Sequence, residues 1–137
     1  MESDAFFGTD LHGNQLVMGF LNATLRDYAK FGLLYMNNGA WNGKQILSEQ
    51  WVKESVTPDR KELQPGVASP EFGYQYQWWN PLGSDGSEFS AIGIWGQYIY
   101  VNQKEGVVIV KTSTDPDFLA NEHETMIAFR AIADAVK

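Results

Sequence analysis

The 137-residue chain contains no cysteine. Disulfides, thiolate metal sites and a cysteine nucleophile are thereby excluded, while the compartment is left open. Histidine is nearly absent as well: His12 lies in a glycine-rich stretch and His123 in Asn121–Thr125, NEHET. Glu122 and Glu124 flank His123 directly, and helix neighbours one residue apart do not converge on a common ion. Both histidines read as surface residues, and the sequence calls for no metal and no other cofactor. Basic residues are few, 10 against 17 acidic ones, for a net charge of −7. They are scattered and never interleaved with aromatics, which disfavours nucleic acid and an anionic membrane surface as partners. No apolar run approaches the roughly 18 residues that span a bilayer, so no membrane insertion is expected. The opening MESDAFFGTD is acidic where a signal peptide is basic; no targeting segment is recognised and the localisation stays unknown.

Familiar nucleophile patterns are missing too. There is no GxSxG elbow. A Ser–Lys mechanism needs S-x-x-K, one helical turn apart, so that the amine can take the hydroxyl proton. The residues three before Lys30, Lys44, Lys53, Lys61, Lys104, Lys111 and Lys137 are Asp27, Trp41, Gln50, Pro58, Val101, Val108 and Asp134. None is serine. Tyr35-Met36-Asn37 and Tyr100-Val101-Asn102 match Y-x-N, but so short a pattern arises easily by chance, and both read as structural. Lys111-Thr112-Ser113 is close to a K-T-G box but ends a strand, and reads as an exposed strand terminus.

What the chain does have is apolar and aromatic: 44% hydrophobic residues, 14% aromatic and five Trp. That composition fits one well-filled domain. Leu25, Tyr28, Ala29, Gly32, Tyr35 and Met36 follow helical spacing. Thr24 with Asp27 forms a capping box with Asp for Glu, and Asn38-Gly39 is a stop, so a helix is expected over about 25–37. Asn42-Gly43 marks a two-residue turn. Residues 48–55 read as a short helix capped by Ser48. Residues 72–80 alternate in β fashion, 81–87 read as a turn, and 88–92, 96–102 and 107–113 as strands. Residues 118–136 form a last helix. The expected fold is α+β: an antiparallel meander of about four strands, two helices in the N-terminal half and one at the C-terminus.

The run FSAIGIWGQYI at 89–99 carries two glycines, each of which weakens a strand interior. Gly93 and Gly96 either relieve crowding at a bulge or bend, or let a ligand approach the backbone.

On its motifs the chain resembles the serine β-lactamase-like hydrolases, which include class C β-lactamases, penicillin-binding-protein-like esterases and 6-aminohexanoate-dimer hydrolases. The residues that carry this are Thr24 and Asp27, then Gly39, Trp41, Gly43, Lys44, Ile46 and Leu47, then Thr57 and Pro58. Residues 72–79 and 89–110 resemble the family's later strands, so the likeness covers roughly 19–112. It implies part of a β-lactamase/transpeptidase-like fold, and that the whole of 1–137 is a C-terminal portion of a larger domain, the Ser–Lys pair and Tyr-x-Asn element lying upstream. The isolated chain is then expected to be inactive. The family's third motif maps to Ala91-Ile92-Gly93, where no lysine stands, so small ester or amide substrates fit better than β-lactams. By the same resemblance the backbone N–H of Ile94 is the second oxyanion donor, Gly93 admits the substrate, and Trp95 and Gly96 border the pocket. The alternative is a non-catalytic aromatic-rich binding or assembly module, with Trp41, Trp78, Trp79, Trp95 and the tyrosines of 74–76 as a stacking platform. In either case a bare sheet edge or apolar face makes a homo-oligomer the expected state.

Overall fold

The computed structural model describes residues 1–136. Near the N-terminus two short strands, β1 (Phe6–Phe7) and β2 (Leu21–Asn22), pair antiparallel. Helix α1 (Leu25–Met36) follows, and the Thr24 side chain accepts the Asp27 N–H at 3.2 Å. Asp27 departs from the usual capping box. Its carboxylate accepts the backbone N–H groups of Glu2 (2.7 and 2.9 Å) and Ser3 (3.3 Å), the Thr24 hydroxyl (2.9 Å) and the Lys30 ammonium (2.9 Å). One carboxylate thus holds the Thr24 cap in place and pins a segment 25 residues away.

The Lys30 ammonium, with the other donors, holds the Asp27 carboxyl well below the usual carboxylate range, against the opposing effect of burial. A depressed folded-state value means that the unfolded chain binds the proton more readily. The stabilisation is therefore complete above the unfolded pKa of about 3.9 and is lost as pH falls toward the folded value. Asp27→Asn is expected to be less stable than the parent at pH 7, and the gap to narrow steadily as pH falls from about 5 to 2. Urea unfolding across that range checks this; a gap that stays constant would show that the charge of Asp27 contributes nothing.

Helix α1 ends in a Schellman motif. The Gly39 N–H bonds to the Leu34 carbonyl at 2.8 Å and the Asn38 N–H to the Tyr35 carbonyl at 3.1 Å. Gly39 has φ 84°, and a Cβ there would stand 2.2 Å from the Leu47 carbonyl oxygen, so only glycine fits. Strands β3 (Ala40–Trp41) and β4 (Lys44–Gln45) form the expected hairpin across Asn42-Gly43, both at positive φ. Helix α2 (Glu49–Val56) begins where the Ser48 hydroxyl accepts the Trp51 N–H at 3.1 Å.

The remaining strands are β5 (Phe72–Gln75), β6 (Trp78–Pro81), β7 (Glu88–Gly93), β8 (Gln97–Asn102) and β9 (Val107–Lys111), an antiparallel meander in sequence order. The meander has five strands because 72–80 is two strands rather than one. Gln75 pairs with Trp78, and the two-residue loop between them places Tyr76 at φ 41° and Gln77 at φ 70°. Those angles belong to a turn that normally selects Asn and Gly, so the sequence carries no signal for it. The last helix, α3 (Glu122–Ala135), starts four residues later than its periodicity indicates, because turn hydrogen bonds from Ala120 and Asn121 to the Asp117 carbonyl occupy that stretch.

Strand alternation sends successive side chains to opposite faces. Phe89, Val101 and Trp78 face α1 and α2 and bury with Tyr35, Val52 and Val56. Phe72, Tyr98 and Tyr100 face α3 and bury with Met126 and Phe129. Helix α1 lies close on the sheet because Gly32 has no side chain: a Cβ there would stand 2.6 Å from Val108 Cγ1 and 2.9 Å from Ile99 Cγ2. Helix α3 is tied down by Arg130, whose Nη2 lies 2.6 Å and Nε 2.8 Å from Glu88 Oε1. The Tyr100 hydroxyl also reaches Glu88, at 3.4 Å, and accepts the Asn102 amide at 3.2 Å. That Y-x-N pair is therefore a buried structural network. The other places Tyr35 in the core and Asn37 at the helix end.

Candidate active site

In a meander, alternate connections lie at the same end of the sheet. The 76–77 turn, the 94–96 turn and the end of β9 consequently come together at one end. An open groove of about 1130 Å³ lies there, somewhat above the usual range for small-molecule sites. Tyr28 and Phe31 of α1 form one wall, and residues 18–23 a strap beside it. The Tyr28 hydroxyl donates to the Leu21 carbonyl and ties strap to helix. Tyr74, Tyr76, Gln77 and Trp79 line it from the β5–β6 hairpin.

The end of β7 borders the groove as well. This strand pairs with β8 at six positions, but with β6 at one, Trp79 with Ser90. Ala91, Ile92 and Gly93 run beyond that pair and line the groove, as does Ile94. Ile94 opens the turn and is 66% exposed. Trp95 (φ 65°) and Gly96 (φ 76°) complete it. A Cβ on Gly96 would stand 3.2 Å from Phe118 Cβ and 3.4 Å from Lys111 Nζ, so the glycine serves both the turn and the contact behind it. The Trp95 carbonyl accepts the Asp115 N–H at 3.2 Å. Gly93 and Ile94 are thus brought together in the groove, whereas Trp95 and Gly96 are not among its lining residues.

Sequence reasoning missed most of the walls. Tyr28 and Phe31 look like ordinary members of an amphipathic helix, and Tyr76 hides in an unsignalled turn. Lys111, read as an exposed terminus, is half-buried and lines the groove. A signal existed: the hairpin register pairs Lys111 with Tyr98, itself a lining residue. Burial pushes the Tyr98 phenol up to about 12, with Glu122 and Asp115 adding to the effect. Tyr98 stays protonated at neutral pH and is not a general base. The tryptophans do not form one platform. Trp78 is 4% exposed, with its ring centroid 4.4 Å from that of Tyr35 and 5.1 Å from that of Phe89.

A family model described as Beta-lactamase matches residues 7–132. The chain belongs to the beta-lactamase family. The match extends at both ends beyond the stretch that carries the sequence motifs. Within this family of hydrolases, the chain is 31% identical over 120 residues to the 6-aminohexanoate-dimer hydrolase of Paenarthrobacter ureafaciens, covering 85% of the chain and 30% of that protein. A solved structure from Bacillus anthracis, assigned as a 6-aminohexanoate-dimer hydrolase, superposes with a TM-score of 0.81 at 33% identity, covering 99% of the chain and 35% of that one. A Bacteroides dorei structure assigned as a beta-lactamase shares the fold, with a TM-score of 0.52 at 21% identity over 78% of the chain and 38% of that one. The beta-lactamase-family chain thus spans about a third of the length of these relatives.

Proposed function

We propose that this chain forms the oxyanion strand and one pocket wall of a serine hydrolase that cleaves small esters or amides through an acyl-enzyme. The observation that carries the reading is the end of β7, which runs past its neighbour β6 and opens, with Ile94, into a groove. In acyl transfer the nucleophile attacks the carbonyl carbon and the carbonyl oxygen gains a negative charge. Preorganised N–H donors stabilise that oxyanion by about 2.7–4 kcal/mol each. The Ile94 N–H is one such donor, and the N–H of the nucleophile's own residue the other. The serine, its lysine base and the Tyr-x-Asn element belong to the other two thirds of a relative's length. Residues 91–93 offer backbone and small or apolar side chains but no cation, which favours a simple ester or amide over a β-lactam at this strand. The Paenarthrobacter ureafaciens relative is a 6-aminohexanoate-dimer hydrolase.

The reading is tested in two arms. The purified chain alone is expected to show no turnover of a chromogenic ester or of a chromogenic cephalosporin. A chimera in which the chain replaces the matching third of the Bacillus anthracis relative is expected to hydrolyse the ester. Activity of the isolated chain that survives rigorous purification would overturn the reading, and so would a folded chimera without activity.

A further inference from the structure

We infer that Tyr76 gives the groove a stacking subsite for a flat aromatic ring carried on the ester or amide substrate. The inference deepens the hydrolase reading and rests on the groove being the substrate site. Two hairpins of this chain turn through two residues, both at positive φ. One uses Asn42 and Gly43, the residues that such a turn favours. The other uses Tyr76 (φ 41°) and Gln77 (φ 70°), for which the left-handed region is costly. Departures from local preference gather where a side chain serves function. Tyr76 does not serve the core: it is 56% exposed, the one exposed tyrosine among six. It lines the groove together with Gln77, whereas Asn42 and Gly43 do not.

The ring is held in place beforehand. Trp51 of α2 stacks on Tyr76, with centroids 5.7 Å apart and planes at 20°. Trp51 is not among the lining residues, so the indole stands behind the phenol ring as seen from the groove. A ring stacked on one face keeps the other for a ligand, and fixing it in advance lowers the entropic cost of binding.

The α1 wall repeats the arrangement. Phe31 lines the groove at 45% exposure and stacks on the buried Trp78, with centroids 6.0 Å apart and planes at 5°. Among the described residues these are the two near-parallel pairs. The other ring pairs meet tilted or edge-on, at 41° to 86°. Edge contacts suit a packed core, while parallel stacks turn flat faces outward, and a flat face receives a flat ring by offset stacking. A sugar ring also needs polar partners for its hydroxyls. No Asp or Glu lines the groove, which favours an aromatic ring over a sugar.

The test is a titration of the isotope-labelled full chain, followed by amide and indole resonances, with two neutral probes. One is N-benzylacetamide and the other N-(cyclohexylmethyl)acetamide, which has the same polar atoms and a puckered, more apolar ring. Apolar burial alone favours the cyclohexyl probe. The benzyl probe is nevertheless expected to bind roughly three- to tenfold tighter, with shifts centred on residues 76–78 and the Trp51 indole. Tyr76→Phe is expected to keep the preference. The double variant Tyr76→Asn with Gln77→Gly restores the favoured turn residues. It is expected to raise the urea midpoint and abolish the preference, so that the loss is not one of folding. Equal or tighter binding of the cyclohexyl probe overturns the assignment, as does a preference that persists in the double variant. A midpoint that does not rise overturns the premise that Tyr76 is held there at a cost to stability. Each of those results leaves the groove as substrate site; failure of both probes to bind overturns that site, and this inference with it.

Discussion

Replacing Ile94 with proline is expected to lower the kcat of the chimeric enzyme by about 10²- to 10³-fold, with little change in KM. The substitution removes one N–H and little else. Ile94 is not among the residues at positive φ, the region a proline ring cannot enter. It pushes the preceding residue toward extended geometry, which Gly93 has already as the last residue of β7. An interaction that exists only once charge develops on the carbonyl oxygen affects kcat, whereas a ground-state contact raises KM. Ile94→Val keeps the N–H and is expected to behave like the parent, which separates the backbone from the side chain. A proline variant that folds and retains parental kcat would remove Ile94 from the mechanism.

The largest expected effect on stability is that of Phe89→Ala, a loss of about 3–5 kcal/mol. Phe89 is fully buried. It meets Trp78 edge-on, with centroids 5.1 Å apart at 86°, and Tyr35 at 6.4 Å and 67°. These three rings come from β7, β6 and α1, so one truncation opens a cavity where three elements meet. A domain of this size is stable by about 5–15 kcal/mol, and the loss is a large fraction of that. Phe89 is also two residues before Ala91, so a disturbed core reaches the groove floor directly. Urea unfolding measures the change. A loss below about 1.5 kcal/mol would mean that the surroundings collapse into the vacated space.

Much of the architecture was legible because its signals are local. Thr24, Ser48 and Asn38-Gly39 end helices through hydrogen bonds made within a few residues, and those bonds are present. Asn42-Gly43 turns where its φ preferences indicate. The fifth strand was hidden because Tyr76 and Gln77 adopt left-handed angles that neither residue favours; pairing of β5 with β6 imposes them. The site was legible only in part. Gly93 stood out as a break in a strand and Ile94 through the family resemblance, and both line the groove; Gly96, the other break, does not. Lys111 and the α1 wall did not, because their meaning lies in register and docking rather than in composition. Asp27 carried a local signal as the partner of the Thr24 cap, but its bonds to Glu2 and Ser3 cross 25 and 24 residues and leave no pattern in sequence.

The sheet runs β5 to β9 in strict chain order. Each neighbouring pair is closed by a short connection, so loop-closure entropy is small throughout residues 72–111. The α1 wall has a different history: Gln103 reaches the Tyr35 carbonyl and the Asn38 side chain across 68 and 65 residues. Floor and wall of the groove are therefore assembled over different lengths of chain: the sheet closes by local pairing, and α1 joins it through contacts that span the longer stretch. Tyr35 locks the wall to the floor by burying with Trp78 and Phe89, and β7, held at six positions by β8, gives it a fixed surface to pack on.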